Sequence, residues 1–187
     1  RLQSAISNLP GGFTLFDAED RLVLWNEGYL DLYDYLRDIP DIRGMSYSDI
    51  ISLGFELGRF HVPKGETIES LLKQRVSTHR NPPKEPLELA FSDGRVIRVA
   101  ESRTATGEII GIRLDITELR QAQRRLQDAI DSMPAGFALF DRQDRLVVCN
   151  DHYRAFYEDD EHIIRPGRAF EEMLREQVAS GKIPTGS

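Results

Sequence analysis

The chain has 187 residues, 40% of them hydrophobic, and a formal net charge of −7 at pH 7. This acidic balance argues against a nucleic-acid-binding surface, which needs clustered Lys and Arg, and no apolar run approaches the roughly 18 residues of a membrane span. The one cysteine, Cys149, excludes an internal disulfide and fits a reducing compartment.

The first predicted elements are an amphipathic helix over residues 1–10 and a β-hairpin. Leu2, Ala5, Ile6 and Leu9 provide the apolar face of the helix. Apolar runs at Phe13–Phe16 and Leu22–Trp25 flank a turn-forming Asp-Ala-Glu-Asp cluster. This pattern predicts two paired strands.

Three helical patterns follow the hairpin. Asn26 stands where the chain leaves the second strand, so we expect its side chain to cap the helical run Glu27–Leu36. Apolar residues at helical spacing recur over Ser48–Leu57 and Thr67–Thr78.

Three predicted strands complete this part of the chain. Leu87–Phe91, Val96–Glu101 and Ile109–Ile116 are separated by short turns, the first containing Asp93-Gly94. Two strands, several helices and three strands predict an α+β domain with one five-stranded antiparallel sheet and its helices on one face.

A helix is predicted from Thr117 to about Met133. Its apolar residues alternate in steps of three and four, which gives a narrow a/d seam: Leu119, Ala122, Leu126, Ala129 and Met133. Two interpretations remain open. The seam either pairs with another helix, as in a dimerising or signalling helix, or packs on its own domain.

The beginning of the chain recurs after this helix. The segments 2–33 and 126–157 share 17 of 32 aligned positions, where chance would give roughly two. We interpret this as a domain duplication. The second copy stops at Ser187 without an equivalent of Leu87–Ile116, so we expect residues 134–187 to pair with a second molecule or to pack on the first copy.

Several short motifs together resemble the PAS domains of bacterial sensor histidine kinases and cyclic-di-GMP enzymes. They are Gly12-Phe13-x-Leu15-Phe16-Asp17, Asp20-Arg21-Leu22-Val23, Asn26-x-x-Tyr29, Asp93-Gly94-Arg95 and Asp115-Ile116-Thr117. The resemblance implies a complete PAS domain over residues 11–117, a linker helix over 118–133 and the N-terminal half of a second PAS domain over 134–187.

The same resemblance implies a site and a route for a signal. PAS domains bind small molecules between sheet and helices, and here the cleft would be bordered by Trp25, Tyr29, Tyr33, Leu57 and Phe60. At helical and strand spacing, such residues more often fill a packed core. Asp115 and Thr117 would couple the sheet to the outgoing helix, with simple helix capping as the alternative.

No catalytic or metal-binding constellation is predicted. Asp17 and Asp20, with their repeats, belong to turns, and the four histidines lack metal-ligand spacing. A PAS domain can hold haem on one histidine, with His61 or His79 as candidates here. We favour a surface or hydrogen-bonded histidine for both, and a loop for His79–Pro82.

No cofactor is indicated. Cys149 lacks the sequence context of flavin photosensors, so flavin is not expected.

The chain therefore reads as a non-catalytic sensory and relay module. Because it opens with Arg rather than Met, we expect a piece of a longer protein, which can itself be membrane-anchored. The absence of a long apolar run makes us expect this piece to be soluble and cytoplasmic. The expected partners are a second copy of the chain and a small molecule, and the expected output domain is a histidine kinase. A ligand-free dimerisation scaffold and a regulatory module of a diguanylate cyclase or phosphodiesterase are the alternatives.

Overall fold

The computed structural model describes residues 6–155 and 163–179. Leu2 and Ala5 of the predicted first helix, and His162, lie outside these residues. The chain divides into two compact units, residues 1–120 and 121–187, so the division falls within the predicted linker helix. The strands of the first unit are β1 (Gly12–Phe16), β2 (Leu22–Trp25), β3 (Leu87–Ala90), β4 (Val96–Arg103) and β5 (Ile109–Asp115). Its helices are α1 (Glu27–Leu32), α2 (Tyr47–Glu56) and α3 (Ile68–Arg80), with a 3₁₀ helix at Asp34–Asp38.

The five strands form one antiparallel sheet in the order β2-β1-β5-β4-β3. Side chains alternate across it, because successive residues of a strand point to opposite faces. On β5, Ile109 and Arg113 are buried, whereas Ile112 and Leu114 are exposed. The inward face of the sheet and the helices enclose a core rich in aromatic residues.

Two predicted helices differ at their ends. The run predicted over Glu27–Leu36 is an α-helix only to Leu32 and continues as the 3₁₀ helix. Helix α3 continues to Arg80, so the loop predicted for His79–Pro82 was wrong at its first two residues. Pro82 restricts the backbone of the residue before it, Asn81. The helix can therefore extend as far as Arg80.

The linker helix α4 spans Thr117–Asp131. The five seam residues are all exposed, with Leu126 at 63% and Leu119 at 52%. Ile130, outside the seam, is buried. Met133 lies two residues beyond the end of the helix.

The described part of the second unit contains a two-stranded antiparallel sheet, β6 (Ala138–Phe140) and β7 (Leu146–Cys149), followed by helices α5 (Asp151–Ala155) and α6 (Phe170–Ala179). It repeats the first unit in detail. Both hairpins shift register near the end of their first strand, and the turn residues Asp20 and Asp144 both have positive φ, 62° and 53°.

Candidate functional site

A cavity of about 390 Å³ lies in the first unit between helix α3, strands β3 and β4, and the loop before α3. Its wall combines apolar side chains with several polar and charged ones. The lining residues are Tyr47, His61, Pro63, Leu71, Gln74, Arg75, Thr78, His79, Leu87, Glu88, Leu89, Ala90, Val99 and Glu101. Its volume falls in the range of small-molecule sites in proteins.

A buried hydrogen-bond network runs from this cavity into the sheet. The Nδ1 atom of His79 lies 2.9 Å from Oε2 of Glu101, and the other carboxylate oxygen accepts from Nη2 of Arg113 at 2.8 Å. Arg113 also donates from Nη1 to the Thr14 hydroxyl at 2.7 Å. The network therefore joins helix α3 to strands β4, β5 and β1.

Aromatic packing fixes both ends of this network. The His79 ring stacks on Tyr47, with centroids 3.7 Å apart and planes 2° from parallel, and Phe16 contacts it edge-on. The Arg113 guanidinium lies 5.2 Å from the Tyr29 ring centroid and 5.8 Å from that of Tyr33, within range of a cation–π attraction.

The charges in the network support one another. Burial would raise the pKa of Glu101, but the hydrogen bond with His79 and the charge of Arg113 outweigh it, so the pKa lies below the usual value. Burial would lower the pKa of Arg113, yet the surrounding tyrosines and Glu101 raise it. Glu101 and Arg113 therefore form a buried ion pair at neutral pH.

Two of the lining residues carry a buried polar atom without a hydrogen-bond partner among the described residues, namely Nε2 of His79 and Nη1 of Arg75. The side chain of His79 is 0% exposed. The Arg75 guanidinium lies over the Phe60 ring, 4.0 Å from the ring centroid. Burial lowers the pKa of this guanidinium.

The junction between the sheet and helix α4 is closed by side-chain bonds. The carboxylate of Asp115 accepts from the Thr117 backbone N–H at 2.9 Å and from its hydroxyl, while the Thr117 hydroxyl accepts from Val96 N on β4 at 2.9 Å. Arg120, in the first turn of α4, binds Glu88 with two donors, at 2.6 and 2.9 Å. Since Glu88 lines the cavity, this ion pair links the cavity wall to the helix.

The five residues predicted to border a ligand do not line this cavity. Tyr29, Tyr33 and Phe60 are each at most 2% exposed, and their rings pack together in the core. Leu57 is 53% exposed. Trp25 is partly buried at the edge of the core, beneath the Arg43 guanidinium. The structure thus places Tyr29, Tyr33 and Phe60 in the packed core, the interpretation that their spacing favours. That these residues border a ligand stays a prediction.

Both histidines named as haem candidates line the cavity. His61 is exposed, whereas His79 is engaged through Nδ1 by Glu101. Among the described residues, no group of three His, Cys, Asp or Glu side chains could hold a metal ion. Cys149 is a buried free thiol whose pKa is raised by burial, and no described helix is long and apolar enough to cross a bilayer.

A family model described as the PAS fold matches residues 6–124 and 130–187. The chain belongs to the PAS family. The five-stranded antiparallel sheet with its helices is the PAS fold that the sequence motifs predicted. PAS domains are typical of sensory signal-transduction modules.

Relatives of this PAS protein cover it only in part. The chain is 45% identical over 74 residues to the "Non-motile and phage-resistance protein" of Caulobacter vibrioides, a match that covers 36% of this chain and 9% of that protein.

Solved structures are more distant. The PAS domain of Bordetella pertussis BvgS is 22% identical, over 71% of this chain and 96% of that one, with a TM-score of 0.38. The PAS domain of an HTR-like protein from Haloarcula marismortui is 16% identical, over 62% and 89%, with a TM-score of 0.37. The Rhodobacter sphaeroides LOV protein is 13% identical, over 70% and 72%, with a TM-score of 0.36.

Proposed function

We propose that this chain is the sensory and relay module of a bacterial signal-transduction protein. Its first PAS domain detects a small molecule in the cavity, and helix α4 carries the response to an output domain. One observation carries the proposal. His79 on the cavity wall is joined through Glu101 to Arg113 on β5, the strand that ends two residues before the helix begins.

The mechanism we propose is a shift between two populated arrangements of the sheet. A ligand changes that population only by binding one arrangement more tightly, and contact with His79 would provide this difference. Arg113 would transmit it along β5 to Asp115 and Thr117. The ion pair between Glu88 and Arg120 gives a second connection from the cavity wall to helix α4.

A homodimer is part of the proposal. The exposed seam on α4, with Leu119 and Leu126 more than half exposed, would pair with the same seam of a second copy, and the signal would alter that packing. The favoured output is a cytoplasmic histidine kinase domain, because the sequence motifs resemble the PAS domains of such kinases. A diguanylate cyclase or phosphodiesterase is the second choice.

A ligand-free dimerisation scaffold is the competing function. It is favoured by the tight packing of Tyr29, Tyr33 and Phe60, together with the exposed seam. In that case the cavity would hold only water, and the helix would serve to align two chains.

Native mass spectrometry of the purified fragment, compared with the same sample under denaturing conditions, separates these functions. A mass excess that disappears on denaturation would reveal a bound molecule and give its size, as the sensory proposal expects. Dimers without any mass excess, at every expression condition tried, would favour the scaffold. Monomers alone would contradict the role of the seam.

A further inference from the structure

We propose that the ligand of the first PAS domain is a small hydroxy acid, whose carboxylate is bound by Arg75 and whose hydroxyl donates to Nε2 of His79. This inference rests on the proposed sensory function and adds the chemical class of the ligand. It depends on the charge of the cavity wall, on the two unpartnered polar atoms and on the size of the cavity.

The positive charge of Arg75, a residue of the cavity wall, has no negatively charged partner among the described residues. Glu101 is paired with Arg113, and Glu88 is paired with Arg98 and Arg120. Both carboxylates of the wall are therefore neutralised by arginines. No described residue forms an ion pair with Arg75, whose Nη1 is buried without a hydrogen-bond partner.

The aromatic rings near Arg75 offset only part of the free-energy cost of burying its guanidinium without a hydrogen-bond acceptor. Its guanidinium lies 4.0 Å from the Phe60 centroid and 5.0 Å from that of Phe55, and a ring face attracts a cation without accepting its N–H groups as a carboxylate would. A carboxylate can accept two parallel hydrogen bonds from one guanidinium. An anionic ligand would thus supply the partner that the wall lacks.

His79, in its neutral form, requires a hydrogen-bond donor on the ligand. An ionised carboxylate only accepts hydrogen bonds, so the contact with Glu101 places a hydrogen on Nδ1 of His79, and in the neutral imidazole Nε2 is then an acceptor. This atom is buried without a hydrogen-bond partner among the described residues, and it belongs to a residue that lines the cavity. Arg75 and His79 are four residues apart on helix α3, which puts them on one face.

The remaining wall limits the body of the ligand. Leu71, Leu89 and Val99 provide apolar contacts, and a volume of about 390 Å³ accommodates a single ring or a short alkyl chain. A molecule with one carboxylate, one hydroxyl and an apolar body satisfies all three features of the wall.

Ligand-observed NMR on the intact fragment tests this class with matched probes. The acids are 2-, 3- and 4-hydroxybenzoate and 3-hydroxyoctanoate. The controls are benzoate, which lacks the donor, 4-hydroxybenzamide, which lacks the charge, and 4-hydroxybenzylamine, which reverses it. We expect at least one hydroxy acid to bind at least tenfold more tightly than the benzoate, amide and amine controls.

Two variants separate the guanidinium from general electrostatics. Arg75→Gln should weaken binding of the acid at least tenfold and leave the amide unchanged. Lys73→Gln removes the same charge from an exposed position on the same helix and should have little effect. Fluorescence of the single tryptophan, Trp25, checks that both variants keep the first domain folded.

Other outcomes would overturn the inference in distinguishable ways. Amide or amine binding as tight as that of the acid would reject the anionic class and leave the sensory function standing. Equal losses in both variants would reject the role of Arg75. If no probe binds at millimolar concentration but the native mass shows a retained molecule, only the ligand class fails. If neither occurs, the sensory function fails with it.

Discussion

The carboxylate of Glu101 shows how a charge is tolerated inside the first PAS domain. Its side chain is 7% exposed and that of Arg113 is 2% exposed, so both groups lose most of their hydration. That loss costs several kcal/mol per ion unless each charge is paired and hydrogen-bonded. The ion pair of Glu101 with Arg113 and the hydrogen bonds to His79 and Thr14 offset this loss, while Nε of Arg113 stays buried without a hydrogen-bond partner among the described residues. A change at any member leaves its partners buried and incompletely bonded.

Replacing Glu101 by Gln should therefore destabilise the first domain by about 3–5 kcal/mol at pH 7, as removal of one partner of a buried ion pair does. It should also change the pH dependence of unfolding. Because the folded pKa of Glu101 lies below its unfolded value, the carboxylate contributes its full stability above the unfolded pKa, about 4.3, and loses it as pH falls through the folded value. Urea unfolding followed by Trp25 fluorescence measures both effects.

The control for Glu101→Gln is Glu66→Gln. Glu66 is an exposed carboxylate in the loop before α3, so we expect less than about 0.5 kcal/mol of change at pH 7. The difference in stability between wild type and Glu101→Gln should shrink below pH 4. A difference that stays constant down to pH 3 would contradict the depressed pKa.

At the scale of elements, one asparagine in each PAS copy ties the preceding segment to the hairpin. Oδ1 of Asn26 accepts from the backbone N–H of Phe13 and Tyr29, while its Nδ2 donates to Ile6 O and Gly11 O. Asn150 makes the equivalent four bonds, to Phe137, Tyr153, Ile130 and Ala135. Since Ile130 belongs to helix α4, Asn150 fastens the end of the linker helix to the second PAS unit.

Replacing Asn150 by Ala should free the end of helix α4 from the hairpin. The side chain is fully buried, and each backbone group left without a partner costs about 1–3 kcal/mol. We expect faster hydrogen exchange at Phe137 and Tyr153 and over the last turn of α4.

Asn26→Ala is the matched control for Asn150→Ala, because it removes the same four bonds from the other copy. In Asn26→Ala, backbone hydrogen exchange should become faster around Phe13 and Tyr29 and stay unchanged in the second unit. Unaltered exchange over the last turn of α4 in Asn150→Ala would show that the asparagine does not hold the helix.

Much of the fold was predictable from the sequence because its elements carry local signals. The capping role of Asn26 followed from its place between a strand and a helix, and the Asp93-Gly94 turn marked the hairpin of β3 and β4. The strands kept their predicted places to within a few residues. These features depend on neighbouring residues, which a sequence displays directly.

The site was harder to predict because it depends on contacts between distant segments. Glu101 and Arg113 were not singled out, although both stand in phase with buried strand residues: Val99 two positions before Glu101, and Gly111 two positions before Arg113. That alternation was the available signal. Their pairing with His79, 22 residues before Glu101, has no local signature.

At the scale of the whole molecule, the exposed apolar residues of helix α4 are the feature that bears on the proposed homodimer. A leucine that is 63% exposed gains little from the domain that carries it. The a/d spacing of Leu119, Ala122 and Leu126 suits pairing with another helix. The second unit also carries exposed apolar strand residues, Leu139 and Val147. These surfaces are consistent with the proposed homodimer.

Replacing Leu126 by Asp tests that dimer without disturbing the first domain. A charge on the seam would face its counterpart in the partner helix and lose the apolar contact, so we expect the molar mass from light scattering to fall to that of one chain. Because Leu126 is exposed, unfolding followed by Trp25 should change by less than about 0.5 kcal/mol. Gln121→Asp adds the same charge at an exposed position outside the seam and should leave the mass unchanged. A dimer that survives Leu126→Asp, or one that Gln121→Asp dissociates equally well, would mean that the seam does not join the two chains.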